Sequence, residues 1–158
     1  MADNIQGFIK ELAFEEALTH HLLDHGWNEV IKNPTEEQLV QNWADIIYDN
    51  NREIDKLGNY PLTASEMKQV MDQVNMKSSP YEMNRFINGK QVCIKRDNEA
   101  DTNNFGKEVY LKIFDPMEIS SGQSRYQIAR QPKFKTADSM LGDRRGDMML
   151  LINGMPVI

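Results

Sequence analysis

Residues Arg145-Gly146-Asp147-Met148-Met149-Leu150-Leu151-Ile152-Asn153-Gly154-Met155-Pro156-Val157-Ile158 form two apolar runs hinged on an Asn-Gly dipeptide. Both hinge residues tolerate positive φ, so the runs Asp147 to Ile152 and Met155 to Ile158 are predicted to be the antiparallel arms of a tight hairpin. Asp147 heads the more apolar arm, directly after Arg144-Arg145-Gly146. An acid there either projects from a strand end into a cleft or simply closes a turn, and a single residue does not choose between the two.

Working back from this hairpin, short runs rich in β-branched and aromatic residues predict further strands at Gln91 to Arg96, Glu108 to Phe114 and Tyr126 to Phe134. The polar stretch Asp97 to Gly106 between the first two reads as an exposed loop. Before about Asn88 the period is helical. Thr35-Glu36-Glu37-Gln38, Thr63-Ala64-Ser65-Glu66 and Ser79-Pro80-Tyr81-Glu82 each fit a capping box, and Pro80 suits the first helical position. Behind the first box Leu39, Trp43, Ile46 and Ile47 share one helical face, as do Met67, Val70, Met71 and Val74 behind the second. A first helix over roughly Ile5 to His25 is expected to close on Gly26 in the left-handed conformation. The chain is therefore α/β, with a helical N-terminal half and a strand-rich C-terminal half.

Glu15 breaks the pattern of the first helix. It lies three residues from Leu12 and Leu18 and seven from Phe8 and Leu22, near the middle of the apolar face, whereas Glu16 points elsewhere. A buried carboxylate is costly unless it is paired, hydrogen-bonded or bound to a cation. Three explanations remain open at this point: the helix starts later, Glu15 meets an arginine or a backbone donor, or Glu15 belongs to a site.

With 158 residues, 40% of them hydrophobic, the chain is long enough for one ordinary core, and a single domain is expected. Cys93 is the only cysteine, which excludes an internal disulfide and a four-cysteine zinc site. The amino terminus lacks a signal-like basic flank and apolar run, and no stretch approaches a membrane span, so a cytoplasmic protein is expected. The net charge of −6 argues against bulk attraction to nucleic acid. Yet residues 1 to 79 hold 6 Lys or Arg against 14 Asp or Glu, and residues 80 to 158 hold 12 against 10. Between Ser120 and Gly146, Arg125, Arg130, Lys133, Lys135, Arg144 and Arg145 face only Asp138 and Asp143. This basic side is either an ordinary mixed surface or a contact for phosphate.

Several chemistries fall away. His21 and His25 have helical i, i+4 spacing but no third ligand nearby, and a surface cluster is expected. Asp97 to Thr102 lacks the glycine that an EF-hand loop requires. No phosphate-binding glycine loop, dinucleotide fingerprint, nucleophile elbow or catalytic Cys/His pairing is present.

Taken in order, Phe14-Glu15-Glu16-Ala17-Leu18, Gly26-Trp27, Asn42-Trp43, Asn50-Asn51, Pro61-Leu62-Thr63 and the stretch from Arg145 to Val157 resemble the amino-terminal domain of type I restriction enzyme R subunits. That family of PD-(D/E)xK nucleases typically reads Arg-Pro-Asp, an apolar strand, Asn-Gly-x-Pro, a second apolar strand, and then Glu-x-Lys. The resemblance implies a restriction-endonuclease-like fold, a mixed sheet flanked by helices. It implies that Asp147 ligates magnesium and that Glu15, or Glu16 if the register slips by one, is the helix-borne acid supporting the site. Gly146 departs from the usual proline, which loosens the backbone before the metal ligand. Glu-x-Lys would fall beyond Ile158, so residues 1–158 are expected to be a truncated domain that, alone, neither cleaves DNA nor binds it tightly.

Magnesium favours hard oxygen ligands, polarises bound water and offsets charge developing on a phosphate, while a nearby lysine assists the nucleophile. The implied activity is ATP-dependent endonucleolytic cleavage of double-stranded DNA, with ATP bound in motor domains outside this chain. Arg130, Lys133, Lys135, Arg144 and Arg145 are the expected DNA contacts. Specificity and methylation subunits are the expected partners. The competing expectation is a non-catalytic domain that keeps the nuclease fold and only docks against other subunits or DNA.

Overall fold

The computed structural model describes residues 2–75, 81, 85, 89, 91–115, 117, 124–130, 132 and 148–156. Among them are three helices, α1 (Ala2–Leu23), α2 (Glu36–Asn50) and α3 (Ala64–Asn75). Six strands accompany them: β1 (Glu29–Lys32), β2 (Val92–Lys95), β3 (Glu108–Leu111), β4 (Tyr126–Arg130), β5 (Met148–Ile152) and β6 (Met155–Pro156). Strands β1, β4, β5 and β6 form one mixed sheet in that order, with β1 parallel to β4 and the remaining pairs antiparallel. Strands β2 and β3 form a separate antiparallel pair. The architecture is thus the mixed α/β class expected, with helices on both faces of the larger sheet.

Local chemistry sets the element ends. Helix α1 closes where Trp27 N–H donates to the Leu22 carbonyl at 3.0 Å, and Gly26 takes the expected left-handed conformation at φ 97°. At α2 the Thr35 hydroxyl accepts from Gln38 N–H at 3.2 Å and the Gln38 carboxamide accepts from Thr35 N–H at 2.9 Å. Thr63 and Glu66 make the same reciprocal pair at α3. The third box, at Ser79, lies outside the described residues.

Strand β1 was not anticipated. Glu29-Val30-Ile31-Lys32 is too short to show a period, and it becomes a strand because β4 supplies a parallel partner. The predicted strand Glu108 to Phe114 stops at Leu111 because the Asn51 carboxamide engages Lys112: its oxygen accepts from Lys112 N–H and its nitrogen donates to the Lys112 carbonyl, both at 2.9 Å. The strand predicted to run from Tyr126 to Phe134 is assigned to Arg130. Beyond it only Pro132 is described, and it is not extended into the sheet. The loop expected to be exposed over Asp97 to Gly106 is partly internal, since Asp101 is buried within it.

Side-chain alternation assigns the two faces of the larger sheet. On one face, Ile31, Ala129, Met149 and Leu151 pack with Leu39 of α2. On the other, Trp27 at the end of α1 meets Tyr126 edge-on with ring centroids 5.3 Å apart. The main core joins α2 and α3 to β2 and β3 and also includes Met155 of β6.

Candidate functional site

Arg130 closes β4 and stands opposite Met148 of β5 and Lys32 of β1. Its backbone is held further by Asn33 N–H, which donates to the Arg130 carbonyl at 2.8 Å. Its guanidinium reaches across to α1, where Nη2 lies 3.5 Å from Glu15 Oε2. Glu15 is only 6% exposed, as its place among Leu12, Leu18 and Leu22 predicts. Helix α1 already runs from Ala2, so a late helix start does not explain the carboxylate, and the arginine partner is the explanation present in the structure. Glu16 is exposed and lies 4.0 Å from His20 Nε2.

Beside Glu15 opens a cleft of about 320 Å³ lined by Lys10, Glu11, Phe14, Glu15, Leu18 and Met148. Met148 is the chain neighbour of Asp147. Asp147 itself, with Lys133, Lys135, Arg144 and Arg145, lies outside the described residues. Of the expected site residues, the structure therefore brings together Glu15 and Arg130, and Glu15 lines the cleft with Met148 of β5.

The lining of this cleft is mixed: Glu11 and Glu15 are acidic, Lys10 is basic, and Phe14, Leu18 and Met148 are apolar. Glu15 offers carboxylate oxygens, and the cleft leaves room beside them. Among the described residues no three His, Cys, Asp or Glu side chains cluster as a complete ligand set. His21 and His25 form an exposed stack, ring centroids 4.2 Å apart, in keeping with the surface cluster expected of them.

A second polar group braces the same sheet and was not anticipated. Arg125 clasps Glu29 bidentately, Nε to Oε1 at 2.9 Å and Nη2 to Oε2 at 2.7 Å. That guanidinium holds the Glu29 carboxyl below its usual range against the opposing effect of burial, with Gln127 adding a further hydrogen bond. Gln127, itself buried, exchanges two side-chain hydrogen bonds with Asn42 of α2. At the hairpin, the Asn153 carboxamide accepts from Arg125 N–H at 2.9 Å and donates to the Ile113 carbonyl at 3.2 Å. Asn42, Asn51 and Asn153, all within the motifs of the family resemblance, thus hold elements together. Asn42 is partly buried, and its place three residues from Leu39 and four from Ile46, on the apolar helical face, is the local signal that marks it. Nothing local marks Gln127 as its partner.

Comparison with known proteins finds relatives along nearly the whole chain. An endonuclease subunit of a type I restriction enzyme from Staphylococcus saprophyticus is 32% identical over 149 residues, covering 94% of this chain and 14% of the relative. Endonuclease subunits of type I restriction enzymes from Staphylococcus aureus strains MSSA476 and MW2 are each 28% identical over 148 residues, again 94% of this chain and 14% of theirs. No protein-family model matches the chain, and no solved structure matches it.

Proposed function

Because this chain is homologous over 94% of its length to the endonuclease subunits of type I restriction enzymes, we propose that it is the magnesium-dependent nuclease domain of such a subunit, acting on double-stranded DNA. It spans 14% of the relatives' length, so ATP-driven translocation and assembly with specificity and methylation subunits in the cytoplasm are assigned by this proposal to the whole protein. The observation that carries the reading is the identity of 32% with the Staphylococcus saprophyticus endonuclease subunit. The geometry adds a buried carboxylate, Glu15, that lines a cleft together with Met148, the chain neighbour of Asp147.

In this proposal Asp147 and Glu15 offer oxygens to the cation, and Arg130, Lys133, Lys135, Arg144 and Arg145 meet the DNA backbone. The bound cation supplies an activated water and charge stabilisation at the phosphate. The protein's share is to fix carboxylates from a helix and a strand on one point and to keep that point partly dry, which strengthens each electrostatic contact. The test is Asp147→Ala in the full subunit, assembled with its partners and supplied with ATP and magnesium. Plasmid cleavage is expected to be lost while ATP hydrolysis continues, because the metal ligand serves the nuclease step and not the motor. Undiminished cleavage would remove Asp147 from the site and favour a docking role for this fold.

A further inference from the structure

Between α2 and α3 lies a groove of about 280 Å³ that no part of the candidate site uses. Val40 and Ala44, one turn apart on α2, line it together with Met67 and Met71, one turn apart on α3, and with Leu62. Ala44, Leu62, Met67 and Met71 also belong to the main core, so an apolar side chain entering the groove would extend that core. The volume lies at the lower limit for small-molecule sites and suits a few inserted side chains, the way a helix anchors in an apolar groove. Two methionines make the floor adaptable.

The charge around this groove is of one sign. Glu36 and Glu37 line it, and no Lys or Arg does. Helix α2 as a whole carries the acids Glu36, Glu37, Asp45 and Asp49 and no Lys or Arg. The first two suit the positive start of a helix, but Asp45 and Asp49 are a like-charged pair one turn apart, which the helix's own stability disfavours. Asp49 supports the charge of Arg125. Asp45 makes no ion pair among the described residues, and it accepts from the carboxamide of the groove-lining Gln41 at 2.8 Å. Such a rim repels DNA. A second copy related by a two-fold axis would set the acids against themselves.

We propose that the groove receives a basic amphipathic segment of another subunit, with apolar side chains inserted between α2 and α3 and flanking Lys or Arg set against Asp45 and the acidic start of α2. This rests on the reading of the chain as part of a multi-subunit enzyme, since the relatives are themselves subunits, and it uses neither Asp147 nor Glu15.

Two measurements on the whole subunit test it. In the first, fluorescence anisotropy follows a probe helix with Leu on one face and Lys on the other. This probe is expected to bind, whereas a probe with Glu in place of Lys and a scrambled Leu and Lys probe are not. Ala64→Phe, at an exposed position of the groove lining, is expected to block it. Asp45→Lys is expected to weaken it about tenfold, the scale of turning one exposed attraction into a repulsion. Glu99→Lys makes the same change of charge in the loop between β2 and β3 and should leave binding unaltered. Equal binding of the scrambled probe, or equal effects of Asp45→Lys and Glu99→Lys, would reduce the result to general attraction by an acidic protein and overturn the proposal. Should Ala64→Phe alter the circular dichroism, Gln41→Trp, also exposed, serves as the block.

In the second, p-benzoylphenylalanine replaces Gln41 in the assembled complex, and the peptide it captures on irradiation is sequenced by mass spectrometry. An apolar segment flanked by Lys or Arg, from another subunit, is the expected capture. Reversing its basic residues to Glu should restore assembly with Asp45→Lys. Capture of the subunit's own chain, of a second copy or of no peptide overturns the assignment. A complex carrying Asp147→Ala should give the same capture whatever its cleavage, so failure of the nuclease reading and failure of the docking are told apart.

Discussion

Gly154 shows how one residue can serve a turn and a packing contact together. Its φ of 84° is the positive value that the Asn-Gly pair foreshadows, and Asn153 beside it sits at 51°. Tertiary structure adds a second demand, because a Cβ at Gly154 would lie 2.8 Å from Trp43 Cα and 3.0 Å from Trp43 Cδ1. The first is backbone of α2 and cannot swing aside. Gly26 has a similar φ of 97° but open space around it. Gly154→Ala is therefore expected to destabilise the chain by about 2–3 kcal/mol and Gly26→Ala by about 1 kcal/mol. Urea unfolding of the two variants measures the difference; equal losses would mean that the Trp43 contact contributes nothing. The turn was legible in the dipeptide, whereas the approach of Trp43 was not, because no local pattern announces contacts made across most of the chain.

At the scale of elements, helices were read best, since caps and apolar faces are written into neighbouring residues. Strands were read by composition, and their ends depended on partners far away: Asn51 for β3, and β4 for the unforeseen β1. The outer edge of β2 is a further case. Gln69 and Gln73, one turn apart on α3, each donate to and accept from the backbone of β2, at Lys95 and Cys93 respectively. These glutamines take the place of a neighbouring strand and satisfy the edge. Of the candidate site, the sequence alone marked Glu15 as anomalous but left its partner open.

The join between β1 and β4 carries a pH signature. Glu29's carboxyl is held below its ordinary value of 4.5 by Arg125, so the clasp stabilises the fold above about pH 4.5 and is lost as pH falls through the lowered value. Arg125 stays charged throughout and adds no slope of its own. With side chains 38% and 45% exposed, the effect is screened and stays under about 1 kcal/mol. Glu29→Gln should be less stable than the parent at pH 7 by that small margin, and the two urea midpoints should converge as pH drops below 4.5. A gap that is constant from pH 7 to pH 3 would assign the loss to packing and not to charge.

For the whole molecule, the question is whether residues 1–158 behave as one domain, as their length leads one to expect. The two sheets share no strand pairing, but they share a core: Met155 of β6 packs in the same cluster as Val92, Ile94, Val109 and Leu111 of the smaller sheet. A buried ion pair ties the smaller sheet to α3. Arg96 Nη1 lies 3.1 Å from Glu66 Oε1 with both side chains fully buried, and Arg96 Nη2 donates to the Tyr60 carbonyl at 2.8 Å. Breaking one partner of such a pair leaves the other charged in a dry interior, so local opening on either side of it is costly. These links make us expect a single cooperative transition in urea. The chain's two tryptophans report on different contacts, Trp43 within the shared core and Trp27 against Tyr126 of β4. Fluorescence of Trp27→Phe isolates the Trp43 signal, and its difference from the parent isolates Trp27. Both curves are expected to superimpose on the loss of helical circular dichroism. If the Trp27 signal is lost first, at lower urea, then α1 and its end of the larger sheet detach before the core does. In that case the contact between Glu15 and Arg130 is too weak to hold the helix by itself.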